Sequence, residues 1–128
     1  KLRVDERGEL HEKTDIRDVR RKILDPSEEQ ERVYLSVIPD IVLADVSFIS
    51  LTKILPAISK LTNQKSLLIM MCKPQFEAGA DQVRRGGLIS DPTIHHEVID
   101  KVVAGCAALG LQLVGEVILS PIQGQSLN

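Results

Sequence analysis

Asp45 follows the apolar run Ile41-Val42-Leu43-Ala44, and Lys73 follows Leu67-Leu68-Ile69-Met70-Met71-Cys72. Short, continuous apolar runs of this kind are the form taken by parallel strands buried on both faces. Open parallel sheets bind ligands in the crevice beyond the carboxyl ends of their strands, so an acid and an amine are expected side by side over a binding site. A lysine in that position can act as a base once desolvation loosens its proton, or stay charged and steer a lone pair. A neighbouring acid orients the ammonium and opposes its deprotonation. Strand geometry alone leaves plainer roles open: Asp45 as a turn or capping residue, Lys73 as a surface lysine whose stem covers the core.

The elements that would position this pair follow from periodicity. Ile41 to Ala44 and Lys65 to Cys72 are predicted as buried strands, the second ended by Pro74, which cannot donate to a ladder. Between them Leu51, Ile54, Leu55, Ile58 and Leu61 form one helical stripe with Ser50 as N-cap, and Pro56 predicts a kink. Gln75 to Ile89 is expected to be a long loop, with Gly86-Gly87 suited to a hinge. Asp91 and Pro92 open a helix with the stripe Ile94, Val98, Val102, Cys106 and Leu109, and Gly110 closes it. Leu111 to Leu119 alternates in part and is expected to be a last strand, before a turn at Ser120-Pro121-Ile122-Gln123-Gly124. Residues 1 to 32 carry more than half of both the acidic and the basic residues and predict solvated helix or loop around one extended piece, Glu9 to Lys13. Asp25-Pro26-Ser27 predicts a turn, and Glu28 to Val37 a short helix. Alternating strands and helices from residue 40 onward argue for an α/β three-layer sandwich.

Composition narrows the function. With 16 Lys+Arg against 18 Asp+Glu, the net charge of -2 gives no global electrostatic case for nucleic acid, so any such contact would come from a local patch. Arg84 and Arg85 in the long loop are the candidates for nucleic acid phosphates, or else a solvated pair. Cys72 and Cys106 read as small buried hydrophobes in a reducing compartment, and no disulfide or metal site is expected. Adjacent His95 and His96 face different directions and lack partners at zinc spacing. No apolar stretch is long enough to span a bilayer and the charged start is unlike a signal peptide, so a cytoplasmic location is expected. Of the three aromatics, Phe48, Phe76 and Tyr34, Phe76 could stack on a base, but a place over the core is favoured for it.

Four segments in order, Asp45-Val46-Ser47-Phe48-Ile49-Ser50-Leu51, Lys73-Pro74-Gln75-Phe76-Glu77-Ala78-Gly79, Gly86-Gly87-Leu88-Ile89-Ser90-Asp91-Pro92 and Ser120-Pro121-Ile122-Gln123-Gly124, resemble the hemolysin A (TlyA-type) family of FtsJ-like methyltransferases. Lys1-Leu2-Arg3 and Thr14-Asp15-Ile16-Arg17 fit as well, with Asp15 where the family commonly has Asn. The resemblance implies a Rossmann-like methyltransferase fold. It also implies methyl transfer from S-adenosyl-L-methionine to a ribose 2′-hydroxyl of ribosomal RNA, and hence ribosomal RNA or a ribosomal subunit as partner. Asp45 and Lys73 match the two middle members of the Lys-Asp-Lys-Glu set of FtsJ relatives. Asp45 would also face the cofactor's sulfonium, and Asp15 would accept from its adenine amino group, unless it is an exposed turn residue.

The same resemblance implies that residues 1 to 128 are the central and C-terminal part of one FtsJ-like domain. The cofactor-loop strand, the N-terminal RNA-binding domain and the first Lys would then precede Lys1, and the last strand and the Glu would follow Asn128. In the family's sheet order, such a piece would leave gaps and open edges. It is expected to rearrange, to exchange strands in a homo-oligomer or to depend on further sequence, and to be inactive by itself. The alternative is a non-catalytic RNA-binding or assembly module that keeps the fold. Membrane lysis, suggested by the family's name, finds no basic amphipathic helix to support it.

Overall fold

The computed structural model describes residues 6–21, 33–79, 83, 89 and 91–122. In chain order they form a 3-10 turn at Ile16–Asp18, strands β1 (Arg20–Arg21), β2 (Tyr34–Leu35) and β3 (Ile41–Ala44), helix α1 (Leu51–Leu61), strand β4 (Leu67–Met70), the single turn α2 (Pro74–Glu77) and helix α3 (Pro92–Ala108). β3, α1 and β4 make a parallel βαβ unit, paired Ile41 with Leu67 through Ala44 with Met70. The ladder is closed at each end by a backbone bond of 2.8 Å, from Leu67 N–H to Asp40 C=O and from Met71 N–H to Ala44 C=O.

Helix α1 forms where its apolar stripe and cap agree. Ser50 Oγ accepts from Thr52 N–H, and Leu51, Ile54, Leu55, Ile58 and Leu61 are all buried, while Pro56 stays on the exposed side within a continuous helix. Burial of each of these side chains is worth about 1.5–3 kcal/mol against exposure, enough to carry a helix through one missing backbone bond. The stripe packs on Val42, Ala44, Leu68 and Met70, the inward side of the two strands, and on Val102 and Cys106 of α3. Asp91 caps α3 through Thr93 N–H, as expected. Gly110 closes it at a φ of 75°, with its N–H on Ala107 C=O and that of Leu111 on Cys106 C=O.

Several expectations are corrected. The strands are covered on one face only: Ile41, Leu43, Leu67 and Ile69 point outward and are exposed, because α1 and α3 share one core on the opposite side. Among the described residues the architecture therefore has two layers, not three. Leu111 to Leu119 forms no strand; Gly115 turns the chain at a φ of 76°, and Leu113, Val114, Val117, Ile118 and Leu119 are exposed with no ladder to hold them. Glu9 to Lys13 is turn and coil, with Lys13 in the left-handed region, and the short parallel pair in this part of the chain is β1 with β2. Tyr34 and Leu35 are thus extended where a helix over Glu28 to Val37 was expected, since aromatic and branched residues favour the pleat once a partner is present. The long loop opens with the helical turn α2. The turns at Asp25-Pro26-Ser27 and Gly86-Gly87 lie outside the described residues.

β2 and β3 do not pair. An apolar cleft of about 270 Å³ lies beside β3, lined by Ile16, Leu35, Pro39, Ile41, Ile58 and Leu61 among others.

Candidate active site at the strand ends

The parallel pairing of β3 and β4 brings their carboxyl ends level, and the two segments that leave them face each other. Lys73 Nζ lies 2.6 Å from Asp45 Oδ1 and donates to Ser47 Oγ at 3.1 Å. The Asp45 side chain is 71% exposed and that of Lys73 25%. A pair this open to water stabilises a fold by at most about 1 kcal/mol, so folding does not require it. What the arrangement offers is a fixed ammonium at the mouth of the sheet.

Beside the pair, Phe48 has a φ of 62° and its residue is 91% exposed. Its ring stands 5.0 Å from that of the half-buried Phe76, centroid to centroid, with 48° between the planes. A left-handed turn, unfavourable for a residue with a Cβ, lifts the Phe48 ring into solvent.

Glu77 carries no local sequence signal and was not anticipated. One turn after Lys73, it is only 3% exposed. Its carboxylate accepts from Leu51 N–H at 2.6 Å and from Ser50 Oγ–H at 2.5 Å. With the Ser50 proton so committed, the Thr52 hydroxyl donates to Ser50 Oγ at 2.7 Å. An anion at a helix N-terminus is also favoured by the aligned peptide dipoles of α1. Lys101 Nζ of α3 donates to the Glu77 backbone carbonyl at 2.6 Å.

Asp15 is placed elsewhere. It caps the 3-10 turn and forms a two-oxygen pair with Arg17, whose Nη2 is 2.6 Å and Nε 3.0 Å away. Those hydrogen bonds hold its carboxyl down at about 2. Among the described residues no hydrogen bond or ion pair joins Asp15 to Asp45 or Lys73. Arg84 and Arg85 lie outside the described residues. Both cysteines are free and half-buried; burial, then the nearby Glu77 charge, pushes the Cys72 thiol up to about 11, and burial raises that of Cys106. His95 donates from Nε2 to Ile89 C=O, which makes it half-buried, and His96 from Nδ1 to Pro92 C=O. No cluster of three potential metal ligands and no helix able to cross a membrane occurs among the described residues.

The sequence matches the FtsJ-like methyltransferase family over residues 1–127. The chain belongs to this family, in its TlyA/hemolysin-type branch. It is 36% identical to "Putative rRNA methyltransferase YqxC" of Bacillus subtilis (strain 168), over all of this chain and 42% of the relative. It is 39% identical to "16S/23S rRNA (cytidine-2'-O)-methyltransferase TlyA" of Mycobacterium tuberculosis, over 70% of this chain and 33% of the relative. The fold is similar to that of a "Putative hemolysin from Streptococcus thermophilus", with a TM-score of 0.82 and 32% identity over 99% of this chain and 42% of that one. The chain thus spans about two fifths of the length of the Bacillus subtilis relative and of the Streptococcus thermophilus structure, and the fold is of the Rossmann-like methyltransferase type.

Proposed function

We propose that this chain supplies the acceptor-side catalytic pair of an S-adenosyl-L-methionine-dependent methyltransferase acting on a ribose 2′-hydroxyl of ribosomal RNA. The observation that carries the reading is the Asp45–Lys73–Ser47 constellation at the carboxyl ends of β3 and β4. The name borne by the tuberculosis relative, a cytidine-2'-O-methyltransferase of 16S and 23S rRNA, supports the choice of substrate.

A ribose hydroxyl is a weak acid and a poor nucleophile until its oxygen is held in line and its proton has somewhere to go. An ammonium has three donors. Asp45 and Ser47 take two from Lys73 and fix the stem, which leaves the third direction for the 2′-oxygen. A charged Lys73 aligns a lone pair and stabilises the charge that grows on oxygen as the proton passes to water, which the open mouth of the site admits. Asp45, exposed and anionic, would hold a cationic cofactor, which fits S-adenosyl-L-methionine; that group supplies an electrophilic methyl when bound. Arg17 makes two contacts on each Asp15 oxygen, so Asp15 would accept from an amino group of the same cofactor by giving up one of them. Phe48 and Phe76 offer a stacking face for the base attached to the reacting ribose, and Arg84 and Arg85 would contact phosphates.

The test is transfer of labelled methyl groups to ribosomal subunits by the complete protein, with ribose methylation mapped by resistance of the adjoining bond to alkali. Lys73→Ala is expected to lower kcat on the order of 10²- to 10⁴-fold, and Asp45→Asn to lower it while leaving RNA binding in place. Methyl groups found on a base, or full activity in Lys73→Ala, would overturn the reading.

A further inference from the structure

We infer that Glu77 is a positioning residue for the Asp45–Lys73 pair, an inference that rests on the function proposed above. The segment from Ala44 to Ser50 and the segment from Met71 to Glu77 form a closed ring. At one end Met71 N–H bonds Ala44 C=O, and at the other the Glu77 carboxylate bonds Ser50 Oγ–H and Leu51 N–H. Every cross-contact of the site lies inside that ring: Asp45 with Lys73, Lys73 with Ser47, Phe48 with Phe76. The strand ladder ends at the first closure, so the buried carboxylate is the second point that sets how far apart the two segments stand. The Lys101 bond to the Glu77 carbonyl ties the same corner to α3.

Helix α1 already has Ser50 as a cap, and a carboxylate brought from 26 residues away adds little that a local cap would not supply. Its distinct effect is to join two segments that carry opposite members of the pair. Glu77 touches no reacting atom. It acts through the placement of Lys73 and Phe76, which lie within one turn of it.

The experiment compares Glu77→Gln and Ser50→Ala with the wild type in the complete protein. The amide is isosteric and keeps one acceptor for Leu51 N–H; Ser50→Ala leaves the carboxylate with its Leu51 bond but removes the Ser50 bond to it together with the two local bonds to Thr52, and it decides the matter should Glu77→Gln fail to fold. Two readouts are taken below the melting temperature: steady-state methyl transfer, and the nuclear Overhauser effect between the Phe48 and Phe76 rings. The expected result is a fall in kcat on the order of 10²-fold for Glu77→Gln, as for a small misplacement of reacting groups. Ser50→Ala should fall by a smaller factor, with KM for RNA and cofactor within about twofold of wild type in both. The Overhauser effect between the rings should weaken or vanish in both variants. Unchanged kcat with only a lower melting temperature would overturn the inference, as would a ring-to-ring Overhauser effect of wild-type strength in both variants. If the wild type transfers no methyl group, the proposed function fails, and the Overhauser effect alone then decides whether Glu77 sets the spacing of the two segments.

Discussion

Among the described residues Lys73 is held by two neighbours, Asp45 and Ser47, a geometry that depends on where the strands stop. That part was legible in the sequence because a charge ending an apolar run has few places to go except the rim of a sheet. Phe48 and Glu77 were not, for opposite reasons. An aromatic residue carries a strong prior for burial, and only the left-handed turn at Phe48 reverses it. A glutamate carries a strong prior for solvent, and only the distant Ser50 and Leu51 reverse that. Phe48 gives a prediction in which stability and activity move apart. A left-handed φ costs a residue with a Cβ about 1–2 kcal/mol, a cost glycine escapes, and a ring 91% exposed buries little. Phe48→Gly is therefore expected to leave the melting temperature unchanged or raise it. It should also weaken RNA binding roughly 10-fold or more, the loss of one base–aromatic stack worth about 1–3 kcal/mol. Melting curves beside KM for RNA check this; an unchanged KM would show that the ring does not meet a base.

At the scale of elements, α1 and α3 were read well because their evidence is local. Caps at Ser50 and Asp91, the stripe of α1 and the glycine stop of α3 all act within a few residues. Strands depend on partners, and here the sequence was less informative. Leu111 to Leu119 has the apolar content of a strand without a ladder beside it, whereas Arg20 and Arg21 have little strand character and pair because Tyr34 and Leu35 lie alongside. The contact between α3 and α1 yields its own prediction. Gly105 sits inside α3, and a Cβ there would meet the Thr52 methyl at 3.4 Å and Leu55 Cδ1 at 3.9 Å, ordinary van der Waals distances. Alanine also gains about 0.8–1 kcal/mol of helix propensity over glycine. Gly105→Ala should thus raise the melting temperature by a few degrees, while Gly105→Val, which adds two methyl groups where the space ends, should lower it by overpacking worth about 1–3 kcal/mol. Chemical denaturation of the two variants against wild type checks both signs, and a destabilised alanine variant would mean that the helices lie closer than described.

At the scale of the whole molecule, the one-sided cover of the sheet is the feature that periodicity could not reveal. Continuous apolar runs such as Ile41 to Ala44 are read as strands buried on both faces, yet Leu43 is 74% exposed while Val42 and Ala44 pack on α1. Ile41, Leu67 and Ile69 extend the same outward face, and among the described residues β3 and β4 pair only with each other, so neither outer edge has a further strand there. Apolar faces of this extent mark interaction surfaces, and open edges are templates for further pairing. The net charge of -2 provides little repulsion to keep copies apart. The 128-residue chain alone is therefore expected to self-associate through this face at micromolar concentration. Sedimentation velocity should show the sedimentation coefficient rising with concentration, and Leu43→Lys combined with Ile69→Lys should return it to that of a monomer. Both positions point away from α1, so the double variant should keep its helical circular dichroism. Association that persists in the variant would move the contact to the segment Leu113 to Leu119, where Leu113, Val114, Val117, Ile118 and Leu119 are also exposed. A wild-type chain that stays monomeric at every concentration would show that the exposed face is too small, or too well flanked by charge, to hold two copies together.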